Sequence, residues 1–330
     1  MAKNALEYPG MRDHKAVPPR NLPDAGYAAL VEGAALVDLF HKTIVRLGGE
    51  GAVGMLNATL TNEVPGAVNG GVYALLLNPK GRIQADLRVL KNEGEVLIDT
   101  EPEGSAKELL GRYAPFYHVE VEDLTEADAA WGILGLYGPR AEELLDGPEL
   151  AEHETARVRV GSADLLAAGV AVPVTGYDLI GPADILGAAR DYLAGRGAVQ
   201  ASPRAYETAR IKAGIPRFGS DITPENFPAE AEYILERAVS FEKGCYPGQE
   251  TVARMRYRGH PNKVLHRFVL KGAPPPPDTA ILQDGKHVGK LTSLAPLPVD
   301  GALFALGYLS RNADSMVPLS AGNATLLPLA

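Results

Sequence analysis

The sequence predicts an α+β fold that ends in a small antiparallel β domain. Three features predict it: strand-like and helix-like stretches alternate through most of the chain, the run Pro274 to Pro277 forces a stiff spacer, and a hairpin signal at Asp284-Gly285 follows that spacer. At 330 residues the chain exceeds the usual single domain, so two or three packed units are expected. The expected division is an α+β region over 25–130, a central α+β region over 131–270 whose elements are free to interleave with the first, and a β domain over 279–330.

The elements follow in order. Tyr27 to Glu32 reads as a short helix and Ala35 to Leu39 as a strand leaving it; Met1 to Pro23, polar and carrying four prolines, reads as an arm. After Ile44 to Leu47, Gly48 and Gly49 lead into a helix through Asn57, and the apolar run Val72 to Leu77 is a buried strand. Asn78-Pro79-Lys80-Gly81 carries the residues of a tight turn, which joins that strand to an antiparallel partner. In the partner, Ile83, Ala85, Leu87 and Val89 alternate with Arg82, Gln84, Asp86 and Arg88. That period of two is the mark of a half-buried strand, and it puts Asp86 on a polar, solvated face.

Glu95 to Thr100, Glu103 to Tyr113 and Val119 to Leu124 read as strand, helix and strand, and Trp131 to Tyr137 with Pro139 to Leu145 as strand and helix. Leu165 to Val174 is buried strand, too short to span a membrane. Val172 to Ile180 and Pro182 to Ala194 repeat the strand-helix pair, and Tyr206 to Ala213 is a helix stopped by Gly214 and Pro216. Beyond the prolines, Ala280 to Gln283, His287 to Ser293 and Ala302 to Leu309 are strands.

Hydrophobic residues at 46% and charged ones at 22% describe a chain that folds. Acidic residues outnumber basic ones by 41 to 32, a net charge of -9, which disfavours general binding to nucleic acid or an anionic membrane. The single cysteine, Cys245, excludes an intramolecular disulfide and any metal site built from several thiolates, and with no signal-peptide core it points to the cytoplasm. Neither a nucleotide-binding glycine loop nor a multi-ligand metal motif is present, so no stable metal is expected.

Cys245 lies in Lys243-Gly244-Cys245-Tyr246-Pro247-Gly248-Gln249-Glu250, where Pro247-Gly248 supplies a type II turn and presents the thiol just before a sharp reversal. From Lys243 to Arg267 six Lys or Arg face one acid, a balance of +5 against -14 elsewhere. Such a cluster favours the thiolate form and offers a seat for a carboxylate or phosphate. The competing reading is a small buried hydrophobe, as most intracellular cysteines are. His260 and His266 follow closely enough to be considered as bases for the thiol, although surface histidines are the plainer reading.

Lys243 to Glu250 resembles the K-G-C-[FY]-x-G-Q-E signature of the YgfZ family of folate-binding proteins, and Arg204 to Ile215, Asn226-Phe227-Pro228 and Arg254 to Gly259 are similar to that family as well. The resemblance runs from about Ala34 to Asn312. The family is related to the glycine-cleavage T protein, so it implies three domains around a central folate-binding opening. It also implies folate-dependent support of iron-sulfur enzymes, among them a tRNA-modifying enzyme, with Cys245 as the residue that matters.

Two departures from the aminomethyltransferase are visible. Ala85-Asp86 stands where the T protein has two acids, so Asp86 is the candidate catalytic carboxylate; Val174 stands where a pterin-gripping glutamate is expected, before Gly176-Tyr177-Asp178. With the signature come Lys243, Tyr246, Gln249, Glu250 and Arg254 as cofactor-binding candidates. Arg210, placed to meet the glutamyl carboxylates of folate, and Tyr73, placed to stack on the pterin, join them. The expected cofactor is tetrahydrofolate or a derivative, and the expected partners are iron-sulfur enzymes or their assembly factors. The alternatives are an aminomethyltransferase of the glycine cleavage system, and a scaffold binding RNA through Arg254 to Arg267.

Overall fold

The computed structural model describes residues 24–127, 129–314 and 317–329. The expected arm, Met1 to Pro23, lies outside the described residues. In chain order the first part comprises α1 (Ala25–Glu32), β1 (Ala35–Asp38), β2 (Thr43–Gly48), α2 (Ala52–Thr59), β3 (Gly70–Leu77), β4 (Ile83–Asn92), β5 (Glu95–Thr100), α3 (Ala106–Tyr117) and β6 (Glu120–Asp123). Then come β7 (Trp131–Tyr137), α4 (Ala141–Leu145), β8 (Thr155–Val160), β9 (Ala163–Val170), β10 (Gly176–Pro182), α5 (Ala183–Gly195), β11 (Val199–Gln200) and α6 (Pro203–Lys212). The last part holds α7 (Glu232–Ala238), α8 (Gln249–Tyr257) and strands β12 (Lys263–Lys271), β13 (Ala280–Gln283), β14 (Lys286–Leu294), β15 (Leu303–Ser310), β16 (Leu319–Ala321) and β17 (Ala324–Leu329).

These strands form three sheets: a six-stranded one in the order β11-β1-β7-β10-β9-β8, a five-stranded one in the order β3-β4-β5-β2-β6, and a closed barrel β12-β15-β14-β13-β16-β17. The fold is the expected α+β type with a small antiparallel β unit at the end. Two long-range pairings add to the sequence reading. β1 precedes the five-stranded sheet in the chain but pairs with β7, so the two α+β regions do interleave. β12 is a barrel strand, so the four prolines link two strands of one barrel, and the β unit takes in residues ahead of 279. In the β13–β14 turn Asp284 and Gly285 both take left-handed angles, as a two-residue hairpin requires.

Each of the two open sheets has helices on one face and the other open sheet on its opposite face. Met55 and Leu56 of α2 with Leu110 and Ala114 of α3 bury Ala85, Leu87 and Val89 of β4. Leu186, Ala189 and Leu193 of α5 cover Leu165, Ala167 and Leu179 of the six-stranded sheet. Between the sheets, Leu90, Leu97 and Ile44 meet Ile133, Leu166 and Ile180. The alternation in β4 therefore does not separate core from solvent. Its apolar face lies under helices and its polar face lies against a second sheet, so Asp86 is 7% exposed and Arg88 9%, contrary to the solvated face the pattern suggests.

Burying these charges demands partners. The Arg88 guanidinium donates to Asp99 on β5 at 2.6 Å and to Asp178 on β10 of the facing sheet at 2.5 Å. Lys42, between β1 and β2, donates to Asp99 at 2.9 Å. Asp178 also accepts the Tyr137 hydroxyl, whose ring lies across Gly135, where any Cβ would come 2.3 Å from it. One arginine thus ties the two sheets together. Arg88→Met, which keeps most of the volume but leaves buried Asp178 without a cation and Asp99 with Lys42 alone, is expected to lower the unfolding free energy by about 3–5 kcal/mol in urea titrations, with part of the loss recovered on adding Asp178→Asn.

Candidate functional site

Beside this bridge the sheets part around a cavity of about 340 Å³. Its wall draws on β4 and β5, on Tyr73 of β3, on the turn before β8, on α6, and on Tyr233 and Arg237 of α7. Asp86, Tyr73 and Arg210 all line it.

Asp86 is the chemically distinctive member. Its Oδ2 accepts the Tyr73 hydroxyl at 2.8 Å, its backbone carbonyl accepts Thr100 Oγ1 at 2.6 Å, and its buried Oδ1 has no partner among the described residues. Burial pushes its carboxyl up to about 6; the Tyr73 hydrogen bond opposes the rise and the Glu101 carboxylate adds to it. Asp99, one strand away, shows the reverse balance: burial acts upward, but Arg88 and Lys42 hold it down to about 2. Of two buried aspartates one is fixed as an anion by cations, and the other is left able to gain or lose a proton near neutrality. Tyr73 itself is held protonated by burial and by Asp86.

Arg210 lines the cavity but is not free to meet a ligand carboxylate. It pairs bidentately with Glu207 at 2.8 and 2.9 Å, donates to Asp221 at 2.8 Å, and reaches Ser293 of the barrel at 3.2 Å. Its role is to lock α6 onto the barrel. Arg217, at the rim, is the more exposed guanidinium, donating to Glu207 at 3.3 Å and to Ser220.

The cysteine signature stands elsewhere, since none of Lys243, Cys245, Tyr246, Gln249, Glu250 or Arg254 lines the cavity. Tyr246 to Gln249 form the type II turn, with Gly248 at φ 82° and ψ -1° and the Gln249 N–H bonded to the Tyr246 carbonyl at 3.3 Å. Cys245 is exposed ahead of it, not buried as a small hydrophobe. Glu250 and Arg254 are exposed on α8, a helix the sequence reading did not assign. Lys243, expected to seat an anion, donates instead to the carbonyls of Asn57, Leu60 and Asn62 at 2.9, 2.6 and 3.1 Å, closing the end of α2. Tyr246 is buried in the cluster of Leu75, Leu77, Ile234 and Val252, against which Tyr73 packs. Its ring is therefore part of the core behind the cavity and not of the cavity wall. His266 is half-buried and His260 exposed, and neither pairs with Cys245 among the described residues.

Sequence reasoning missed Lys42, Arg88, Asp99, Tyr137, His153, Asp178 and Tyr206, all of which line the cavity. Arg88 carried a usable signal, because it shares the β4 face of Asp86. Tyr206 stacks on Tyr137 with ring centroids 5.6 Å apart, a contact between α6 and β7 that no local pattern announces.

The raised carboxyl has a stability consequence with a definite sign. Asp86 holds its proton more tightly folded than unfolded, so ionising it opposes folding above about pH 6, and below the ordinary carboxylate range that penalty is absent. Asp86→Asn is expected to stabilise the protein by on the order of 2 kcal/mol at pH 8 and by little at pH 4, read from urea titrations at the two pH values. An equal effect at both would mean that the carboxyl ionises normally.

Similarity to known proteins agrees with this architecture. The family model described as the GCVT N-terminal domain matches residues 20–243. An aminomethyltransferase of Moorella thermoacetica is 28% identical over 301 residues, covering 86% of this chain and 80% of that protein. An uncharacterized protein of Haemophilus influenzae is 24% identical over 84% of this chain and 90% of its own length. The crystal structure of the glycine cleavage system aminomethyltransferase T from Bartonella henselae superposes with a TM-score of 0.77 at 19% identity, over 92% of this chain and 87% of that one, a likeness of fold. No helix among the described residues is long and apolar enough to cross a membrane. With more than half its length matched by the family model, the chain belongs to the GCVT N-terminal domain family.

Proposed function

We propose that this protein binds a reduced folate in the cavity between its sheets and acts as a folate-dependent accessory factor for iron-sulfur enzymes, tRNA-modifying ones included, through Cys245. Asp86 carries the reading: a buried carboxyl in the cavity wall with one oxygen lacking a donor among the described residues is suited to the N–H groups along the edge of a pterin. The cavity, at about 340 Å³, falls within the range of roughly 300–1,000 Å³ typical of small-molecule sites. Tyr73, Tyr206 and Tyr233 give it flat apolar walls, and Arg217 at the rim is the residue to meet glutamyl carboxylates, in place of the fully engaged Arg210. Bound tetrahydrofolate supplies a carrier for a one-carbon unit.

The separation between thiol and cavity shapes the rest. Cys245 does not line the cavity, so its chemistry is directed at a partner on the surface, with the folate site as the other half of the function. A second reading, aminomethyl transfer, is favoured by one observation: a carboxyl pushed up to about 6 holds or releases a proton near neutral pH, as an acid-base residue must. In that reading Asp86 is catalytic and Cys245 is not.

Calorimetry with tetrahydrofolate and complementation separate the two. Asp86→Ala is expected to weaken binding ten- to a hundred-fold, the loss of a charged hydrogen bond of about 1.5–3 kcal/mol. Cys245→Ser should bind as the wild type does and fail to restore iron-sulfur enzyme activity in cells lacking their own copy. Full restoration by Cys245→Ser, together with aminomethyl transfer from a loaded lipoyl carrier protein, would establish the second reading. Unchanged folate affinity in Asp86→Ala would remove Asp86 from the site.

A further inference from the structure

Two side-chain atoms in the cavity wall are buried without a partner among the described residues: Oδ1 of Asp86 and Nδ1 of His153. A buried polar atom left unpaired costs free energy, and two in one wall point to a ligand that satisfies them.

His153 is also held on a purpose-built mount. It sits in the turn Ala151 to Glu154 before β8 with φ 65°, a left-handed angle that histidine adopts more readily than most residues but still at a cost. The His153 N–H donates to the Gly169 carbonyl at 2.9 Å, and the Gly169 N–H returns a bond to the Glu154 carbonyl at 2.9 Å. The Glu154 carboxylate accepts the Ala151 N–H at 2.9 Å, closing the turn. The turn rests on β9 only because residue 169 has no side chain, since a Cβ there would come 2.1 Å from the Ala151 carbonyl oxygen. Next to it, Glu152 pairs with Arg237 of α7, whose guanidinium lies 5.2 Å from the centre of the Tyr233 ring. The strained residue is therefore fixed from β9, and its neighbour from α7.

The charge state narrows the chemistry. Burial first, then the Arg88 and Arg237 guanidiniums, push the His153 imidazolium down to about 4 against the pull of Glu152 and Asp99, so the ring is neutral at physiological pH. A neutral imidazole offers one donor and one acceptor, which suits a neutral amide-like group and gives an anion little.

We propose that His153 is a specificity-determining contact of the cavity, its Nδ1 hydrogen-bonding a neutral polar group on the ring system of the bound heterocycle and not the ligand's carboxylates. The assignment rests on the folate reading and deepens it, since it divides the site into a ring-recognising part, Asp86 and His153, and a tail-recognising rim.

The test uses two ligands and two variants of the full chain. His153→Asn keeps a side chain that tolerates the left-handed angle, and His153→Gly removes the strain altogether. Affinities are measured by calorimetry for tetrahydrofolate and for tetrahydropteroate, which has the same ring system without the glutamate, alongside thermal melting. Both variants are expected to lose about tenfold or more in affinity for both ligands, with melting temperatures unchanged in His153→Asn and unchanged or higher in His153→Gly. A loss confined to tetrahydrofolate overturns the proposal by assigning His153 to the tail, and a loss that tracks a fall in melting temperature overturns it by making the role structural. Wild-type affinity in both variants overturns this inference alone. A wild-type chain that binds neither ligand removes the folate reading, and this inference with it.

Discussion

The Arg88 bridge is the constraint on which the rest of the structure depends. Two sheets facing each other bury whatever their inner faces carry, and this chain places Lys42, Arg88, Asp99 and Asp178 there. Charges so buried are tolerated only as a closed set, each with an opposite partner within hydrogen-bonding reach. The set is closed by one guanidinium that reaches an aspartate in each sheet, which fixes the separation and relative position of the sheets at that point. Asp86 lies on the same face of β4, two residues away, and is left outside the set. Its buried carboxyl therefore rises while that of Asp99 falls, and a titratable group is delivered to the edge of the cavity by the same packing that neutralises its neighbours.

Much of the fold was legible in the sequence because its signals were local. The Asn78 to Gly81 turn, the Asp284-Gly285 hairpin and the strands at Glu95 to Thr100 and Trp131 to Tyr137 each declare themselves within a few residues, and they stand where the pattern put them. The type II turn after Cys245 was equally readable from Pro247-Gly248. What failed was the meaning of an alternating strand. Period two says that the faces of β4 differ, and it cannot say that the polar face meets another sheet instead of water. The pairing of β1 with β7 and the membership of β12 in the barrel are long-range facts with no short-range mark. For the same reason the proline run, locally a spacer, turned out to lie inside a unit.

The candidate site divides along the same line. Asp86 is singled out by the family resemblance and Tyr73 as a ring able to stack, and both line the cavity. His153 and Asp178 come from separate stretches of chain and meet the others only through packing. Lys243 shows the converse: a signature lysine that looks like an anion seat in a list of residues is, in three dimensions, the cap of a helix end. The signature is thus partly architectural. Tyr246 fills the core cluster against which Tyr73 packs, Lys243 anchors the loop, and Cys245 between them stands at the surface, so the segment serves the core with two residues and exposes its thiol outside the cavity.

In the proposed function the cavity beside the charge bridge is a folate site with Asp86 in its ring-binding wall. Carbon-13 NMR of the Asp86 carboxyl, assigned by its loss in Asp86→Asn, tests this most directly. A titration midpoint near 6 in the free protein and a resonance that shifts when tetrahydrofolate is added are expected. A midpoint in the ordinary carboxylate range, with no response to saturating tetrahydrofolate, would contradict that reading.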